Sequence, residues 1–555
     1  MGGIRIAGQE AVPQTSVDRF APRFAHACDT LNCVVLFLVI VISCSYFFTG
    51  GGWNQASRFD LVRAIIDKGT LAIDDYGGNT EDKAEWNGHY YSDKAPGTAL
   101  LAVPFVAVAK QVARKLTDDQ KTILMAEARV GLLVCASIPT ALAALAIYQI
   151  ARRLACARRA AAIAALSYGL GTPAWAYGTF FWGHALSAAC LILAFTAALE
   201  LARLPWSKLR IALNLCVGLC AAWAVVTEFT AAVAAAILAV LVLTCSWHLG
   251  LRRWVGAAGL MTLGALGPIV ILGSYNQLAF GSPLHFGYSS VVGFEGMKEG
   301  LWGITYPKFE LLEKILIGKE RGFLLLSPVL ALASIGLYKL IRDPAHRTVG
   351  VTATGVFVYY LLLNASYHYW DGGFSYGPRH LAAGLPFLCL GLATPWYHSR
   401  IGHFTLKALA IISVSLTLVA MATHPMTPPV EWPLREIFFP GINEAHLSQN
   451  EYGLFNSGAT PAVNLGELAG LHGLLSLVPL LLFWYSAAKV WNRIQCGRRL
   501  RVTWFDAPEA TRSLPGRIAE PSHRNEPMLL RCDRCDRRRL DSVRGQRTIV
   551  STRRG

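Results

Sequence analysis

Apolar runs of about twenty residues recur from position 31 to position 491, separated by short basic loops or by longer polar segments. A hydrocarbon layer about 30 Å thick needs roughly 20 mostly apolar helical residues per crossing, because lipid leaves backbone polar groups unsatisfied. The first run, 31–49, follows a polar start with Arg5, Arg19 and Arg23 and no small-residue cleavage site follows it. It reads as an uncleaved anchor with a cytoplasmic N-terminus. Further spans are predicted over 125–151, 160–177, 181–203, 209–227, 229–247, 254–275, 322–341, 348–366, 380–397, 404–422 and 467–489, twelve in all. The fold class is an all-α polytopic membrane protein.

The stretch 97–115 is apolar but short and interrupted by Pro104. If it crossed, the cluster Arg152, Arg153, Arg158 and Arg159 would lie outside. As a helix lying at the outer interface, it leaves every later basic loop cytoplasmic, as the positive-inside rule favours. The expected layout is a cytoplasmic segment 1–30, a transmembrane domain 31–490 and a basic cytoplasmic tail 491–555. Large outer loops fall at 50–124, 276–321, 367–379 and 423–466. This places a multi-pass protein in the inner (plasma) membrane, both termini cytoplasmic, with chemistry on the periplasmic or extracellular face.

Composition agrees, with 54% apolar and only 15% charged residues in 555. The net charge of +16 raises nucleic acid as a partner, but 16 arginines against seven acidic residues sit in the tail. Nucleic-acid binding is therefore not expected. Most of the 13 cysteines fall within predicted spans, including Cys33, Cys44, Cys135, Cys190, Cys216, Cys220, Cys245 and Cys389, so no disulfide framework is expected. Cys532 and Cys535 have CxxC spacing without a second pair, and read as part of the tail.

Mid-span positions are nearly free of Asp, Glu, Lys and Arg. Ionisable residues gather at predicted outer helix ends: Glu127, Arg129, His184, Glu228, Arg321, Arg379 and His472. Such groups are costly in lipid and mark function or an interface. In the first outer loop, Phe59, Leu61, Val62, Ile65 and Ile66 face one side of a helix, with Asp60, Arg63 and Asp67 on the other. This predicts an amphipathic interfacial helix presenting Asp60 as a base, or pairing it with Arg63.

Residues 73–97 combine Asp74, Asp75 and Asp82 with Tyr76, Trp86, Tyr90 and Tyr91, which suits either stacking on a sugar ring or a solvated acidic loop. Ser92-Asp-Lys-Ala-Pro-Gly97 opens the interfacial helix, where Ser92 or Asp93 can cap and Pro96 suits the first turn. Capping leaves Lys94 unexplained. A cation at the positive end of a helix dipole needs an anion beside it, which points to a phosphate. Arg379 and Arg321 can make forked bonds to phosphate oxygens or serve as interfacial anchors. His184 and Glu228 sit at outer helix ends.

No Walker loop, HExxH, GxSxG or dinucleotide fingerprint is evident. Over most of 31–490 the chain resembles the GT-C superfamily of polyprenyl-phosphate-sugar glycosyltransferases. The branch is that of protein O-mannosyltransferases (glycosyltransferase family 39) and the lipid A aminoarabinose transferase. The resemblance rests on Ser92-Asp-Lys-Ala-Pro-Gly97, Glu127-Ala-Arg-Val, Tyr148-Gln-Ile-Ala-Arg-Arg153, Val226-Thr-Glu228, Phe280-Gly-Ser-Pro283, Trp370-Asp-Gly-Gly373, Gly377-Pro-Arg379 and Asn464-Leu-Gly466.

That resemblance implies a GT-C-like bundle transferring a hexose or pentose from a polyprenyl-phosphate donor to a hydroxyl of a lipid, glycan or protein, with inversion. Lys94, Arg379, His184 and Arg321 would bind the donor phosphate, while Glu228, Tyr91 and Trp370 would contact substrate. The family's acidic base would fall near Asn54 and Gln55, both amides here, which cannot usefully accept a proton. Asp60 is then the first choice, with Asp74 and Asp82 in reserve. No cofactor is required, although Asp74, Asp75 and Asp82 can offer oxygens to a divalent cation. A transporter or flippase of lipid-linked sugars is the competing class, but it should carry polar groups at mid-membrane or paired broken helices.

Overall fold

The computed structural model describes residues 16–394, 399–445, 447 and 464–505. It divides into two units, Met1–Gly497 and Arg498–Gly555. The first holds all the elements discussed below. Of the second, only residues 498–505 are described, as helix. Cys532, Cys535 and most of the basic tail lie outside the described residues.

Nine helices among the described residues are long and apolar enough to cross a membrane. They are Asp29–Tyr46, Gln120–Arg153, His184–Leu201, Lys208–Thr227, Ala231–Leu249, Leu251–Phe280, Arg347–Ser366, Arg400–Thr423 and Gly473–Gln495. Each coincides with an expected span. The other three expected spans are shorter helical stretches, Arg158–Gly171, Val329–Arg342 and Arg379–Ala393. Residues 381–393 in the last of these are buried throughout. Short or irregular helix is tolerated at membrane depth where protein, and not lipid, surrounds it.

Contacts between helix ends fix which ends lie together. Asp29 begins the first span and pairs with Arg158 at 2.6 Å, while Arg153 pairs with Glu200 at 2.5 Å. One end of the bundle therefore gathers the start of the first span, the end of the second and the end of His184–Leu201. At the other end, the backbone N–H of Phe181 donates to Gln55 across 2.8 Å, just beyond the first span. Counting the short helix Arg158–Gly171 as a crossing is what reconciles these two ends.

Between the first two spans lies a folded cap. Helix α1 (Ser16–Tyr46) leads into α2 (Trp53–Lys68), then a hairpin of β1 (Lys83–Trp86) and β2 (His89–Ser92), then α3 (Gly97–Leu116). The hairpin turn is Asn87-Gly88, both at positive φ as a tight two-residue connection requires. Helix α3 keeps Thr98, Ala99, Ala102 and Val106 inside and leaves Phe105, Val108, Val112 and Leu116 exposed. That sidedness suits the expected interfacial helix.

Helix α2 departs from expectation. It is buried almost all round from Gln55 to Val62, including Arg58 and Asp60, so it does not lie on a surface as an amphipathic helix. Residues 73–82 fold back over its polar side and cover it. The expected cap on α3 is also corrected: its N-cap is Pro96 without a side-chain bond. Ser92 and Asp93 instead face α2, where the Ser57 and Ser92 hydroxyls lie 2.8 Å apart.

Candidate functional site

A cavity of about 280 Å³ opens where these elements converge. Its walls come from the N-terminus of α2 (Trp53, Asn54), the turn before β1 (Asp82), the link to α3 (Asp93, Lys94) and Trp182 ahead of a span. Phe294 and Met297 close it from the loop after Leu251–Phe280, and Tyr367, Tyr369 and Arg379 from the segment after Arg347–Ser366. Met426 completes the wall just beyond Arg400–Thr423. Polar groups are thus held at helix ends rather than mid-span.

Lys94 is the most tightly held of them. Its Nζ lies 2.8 Å from Asp93 Oδ2 and 3.1 Å from Asp82 Oδ2, and its side chain is 10% exposed. The Tyr288 ring centroid is 5.8 Å away. Burial opposes the charge on Lys94, yet Asp82 and Asp93 outweigh it and raise the ammonium's pKa above its ordinary value. Burial pushes the Asp93 carboxyl up, against the pull of Lys94.

The backbone beneath this group is braced from α2. Arg58 donates to the Ala95 carbonyl at 2.9 Å and to Glu228 Oε1 at 2.8 Å. Glu228 also lies 3.7 Å from His184 Nδ1. Gly97 permits the approach, since a Cβ there would stand 2.8 Å from the backbone nitrogen of Thr227. Thr80 donates its hydroxyl to the Trp53 carbonyl at 2.8 Å and accepts the Asp82 N–H at 2.9 Å, fixing Asp82 beside the cavity.

Arg379 is held differently. Its guanidinium lies 5.3 Å from the Trp182 ring centroid, and its Nε is buried without a hydrogen-bond partner. Gly372, at φ +74°, lets the arginine stem pass, because a Cβ there would meet Arg379 Cγ at 2.8 Å. Among the described residues no carboxylate lies within 4.0 Å of it. The cavity therefore contains one cation shared by two carboxylates and a second cation without one.

The remaining sequence candidates are spread more widely. Asp82 meets Lys94, but neither Asp60 nor Asp74 lines the cavity. Asp60 is fully buried, accepts from Asn79 at 3.1 Å, lies 3.5 Å from Arg63 and leaves Oδ2 unpartnered. Burial pushes its carboxyl up to about 7, against the opposing pulls of Asn79 and Arg63. Asp74 is on the outside, 2.8 Å from His89 Nδ1, and Asp75 pairs with Lys68 at 3.1 Å. Asp74 and Asp75 are therefore not gathered with Asp82, and the described residues contain no metal-ligating group of three.

Arg321 does not line the cavity. It is fully buried and donates to the carbonyls of Ser375 and Gly373, fixing the loop that carries Arg379. Tyr91 packs on Phe280 at 5.2 Å, and Trp370 lies under Lys314 at 5.5 Å. Trp86 packs on His285, and Tyr76 and Tyr90 lie under Arg63 and Lys83. His184 sits within 5.6 Å of Trp182 and 6.3 Å of His380, behind the cavity wall. Asn54 lines the cavity, whereas Gln55 accepts from Phe181 and donates to Gly51 at 2.5 Å.

Sequence reasoning missed Asp93 as a partner of Lys94, Arg58 as the brace, and Trp182, Tyr367 and Tyr369 as walls. Asp93, one residue from Lys94, and Tyr369, beside Trp370, offered a local signal.

No family model matches the chain. No curated protein matches it either. Among solved structures, it is similar to ArnT from Cupriavidus metallidurans bound to undecaprenyl phosphate, at 16% identity over 71% of this chain and 70% of that one, TM-score 0.44. The apo state of ArnT matches at 15% identity over 68% and 60%, TM-score 0.40. The archaeal oligosaccharyltransferase AglB from Archaeoglobus fulgidus, in complex with an inhibitory peptide and a dolichol-phosphate, matches at 12% identity over 78% and 61%, TM-score 0.44. The chain thus spans about three fifths of the length of the last two.

Proposed function

We propose that this protein is an integral membrane glycosyltransferase that moves a sugar from a polyprenyl-phosphate carrier to a hydroxyl acceptor, inverting the anomeric centre. The observation that carries the reading is the presence of two cations, Lys94 and Arg379, in one aromatic-walled cavity at the ends of membrane helices. A lipid-borne phosphate can reach such a place while its tail stays in the bilayer. The opposite end of the bundle gathers Arg152, Arg153 and Arg158, which the positive-inside rule assigns to the cytoplasm. The cavity then faces the outer side of the plasma membrane.

In this mechanism Lys94 and Arg379 hold the phosphate and stabilise the charge it gains as the anomeric bond breaks. Prenyl phosphate is a good leaving group, so no separate acid is needed. Asp82 takes the proton of the attacking hydroxyl, being the one of the three candidate carboxylates that lines the cavity. Purified protein with synthetic polyprenyl-phosphate sugars tests the reading. Release of prenyl phosphate with a glycosylated acceptor supports it, whereas unmodified donor appearing in the opposite leaflet identifies a flippase.

A further inference from the structure

We infer that donor binding and activation of the base are a single exchange at Lys94: the donor's phosphate displaces Asp82 from the ammonium, and Asp82 is thereby freed to deprotonate the acceptor. This rests on the transferase reading above and adds to it an obligatory order, donor first.

The two carboxylates on Lys94 are not equivalent. Asp93 is its chain neighbour, its side chain is 2% exposed, and Ser57 Oγ lies 3.4 Å from its second oxygen. It is enclosed between α2 and the turn. Asp82 lines the cavity, and Lys94 is the one polar partner of its carboxylate among the described residues. Its backbone is pinned through Thr80, so release requires only rotation of the side chain.

An arriving phosphate alters the balance at this point. An ammonium has three donors, two of them engaged by Asp93 and Asp82, so a phosphate that takes more than the third displaces one of these carboxylates. Arg379 has no carboxylate of its own among the described residues and draws an anion into the same cavity. The phosphate then stands beside Asp82 with one ammonium between them, in a place where little water screens like charges. The carboxylate with a single tie is the one that yields.

Before donor binds, the Asp82 oxygen nearest the cavity cation is bonded to that cation and is not available to a hydroxyl. After exchange, Asp82 accepts the acceptor's proton as the acceptor oxygen bonds to the anomeric carbon. The anomeric carbon to phosphate-oxygen bond breaks, and its electron pair leaves on the phosphate, which Lys94 and Arg379 hold. The proton ends on Asp82.

Binding of sugar-free polyprenyl phosphate to the full-length protein in nanodiscs tests the exchange. Removing the competing carboxylate in Asp82→Asn should tighten binding by about tenfold or more, while Lys94→Ala weakens it by at least about as much. Asp82→Ser should tighten binding in the same direction, which guards against a local effect of the amide. If Lys94→Ala weakens binding but both Asp82 variants bind as wild type or more weakly, the exchange is refuted while the phosphate site stands. If Lys94→Ala binds as wild type, the phosphate site itself is refuted.

Discussion

Arg58 and Glu228 lie 170 residues apart in the chain, yet their side chains meet at 2.8 Å in a buried ion pair that braces the backbone next to Lys94. Removing one partner of such a pair leaves the other charged and desolvated. Glu228→Gln is expected to cost about 3–5 kcal/mol of stability. Thermal unfolding of the purified protein measures this, and a loss below about 1 kcal/mol would assign the pair to an exposed setting.

Asp60 predicts a pH dependence. Its carboxyl is raised to about 7 in the fold, chiefly by burial, so the folded protein holds this proton more tightly than the unfolded chain. Its contribution is full below the unfolded value near 3.8 and is lost as pH rises through about 7. Unfolding midpoints should therefore fall between pH 4 and pH 7 through this group, and Asp60→Asn should flatten that part of the profile. An identical slope in the variant would contradict the assignment.

Arg321 separates an architectural arginine from a ligand. Its forked bonds to Ser375 and Gly373 cannot be reproduced by lysine. Arg321→Lys is expected to lower the unfolding midpoint, with any loss of activity following the unfolded fraction. A fully folded variant with a raised KM for donor would return Arg321 to the phosphate.

Gly372 tests the placement of Arg379. A methyl group would meet the arginine stem at 2.8 Å and strain a backbone at φ +74°. Gly372→Ala should reduce donor affinity about tenfold or more, as displacement of a charge-assisted contact would. Titration with polyprenyl phosphate measures it, and unchanged affinity would show that Arg379 does not hold the phosphate.

How far the sequence reveals all this depends on the range of the interaction. Nine spans are legible because twenty apolar residues are a local signal. Lys94 is legible because a cation at a helix start is locally anomalous. The pairing of Asp60 with Arg63 is legible from their spacing, but the burial of α2 is not, because periodicity along the helix says nothing of Asn79, which folds over its polar side from 19 residues away. Trp182, Tyr367 and Tyr369 reach the cavity through long-range packing, so the sequence marks their neighbours His184 and Trp370 without showing which side chain forms the wall. The amides at Asn54 and Gln55 deflect attention from the cavity wall, although Asn54 belongs to it and Gln55 ties α2 to the Phe181 backbone.

The most direct measurement is turnover of a synthetic polyprenyl-phosphate sugar by purified wild type, Lys94→Ala and Asp82→Asn in nanodiscs. Wild type should release prenyl phosphate and glycosylate the acceptor, and each variant should lose about a hundredfold or more in rate while remaining folded. Full turnover by either variant, or no cleavage of any such donor by wild type, would contradict the account.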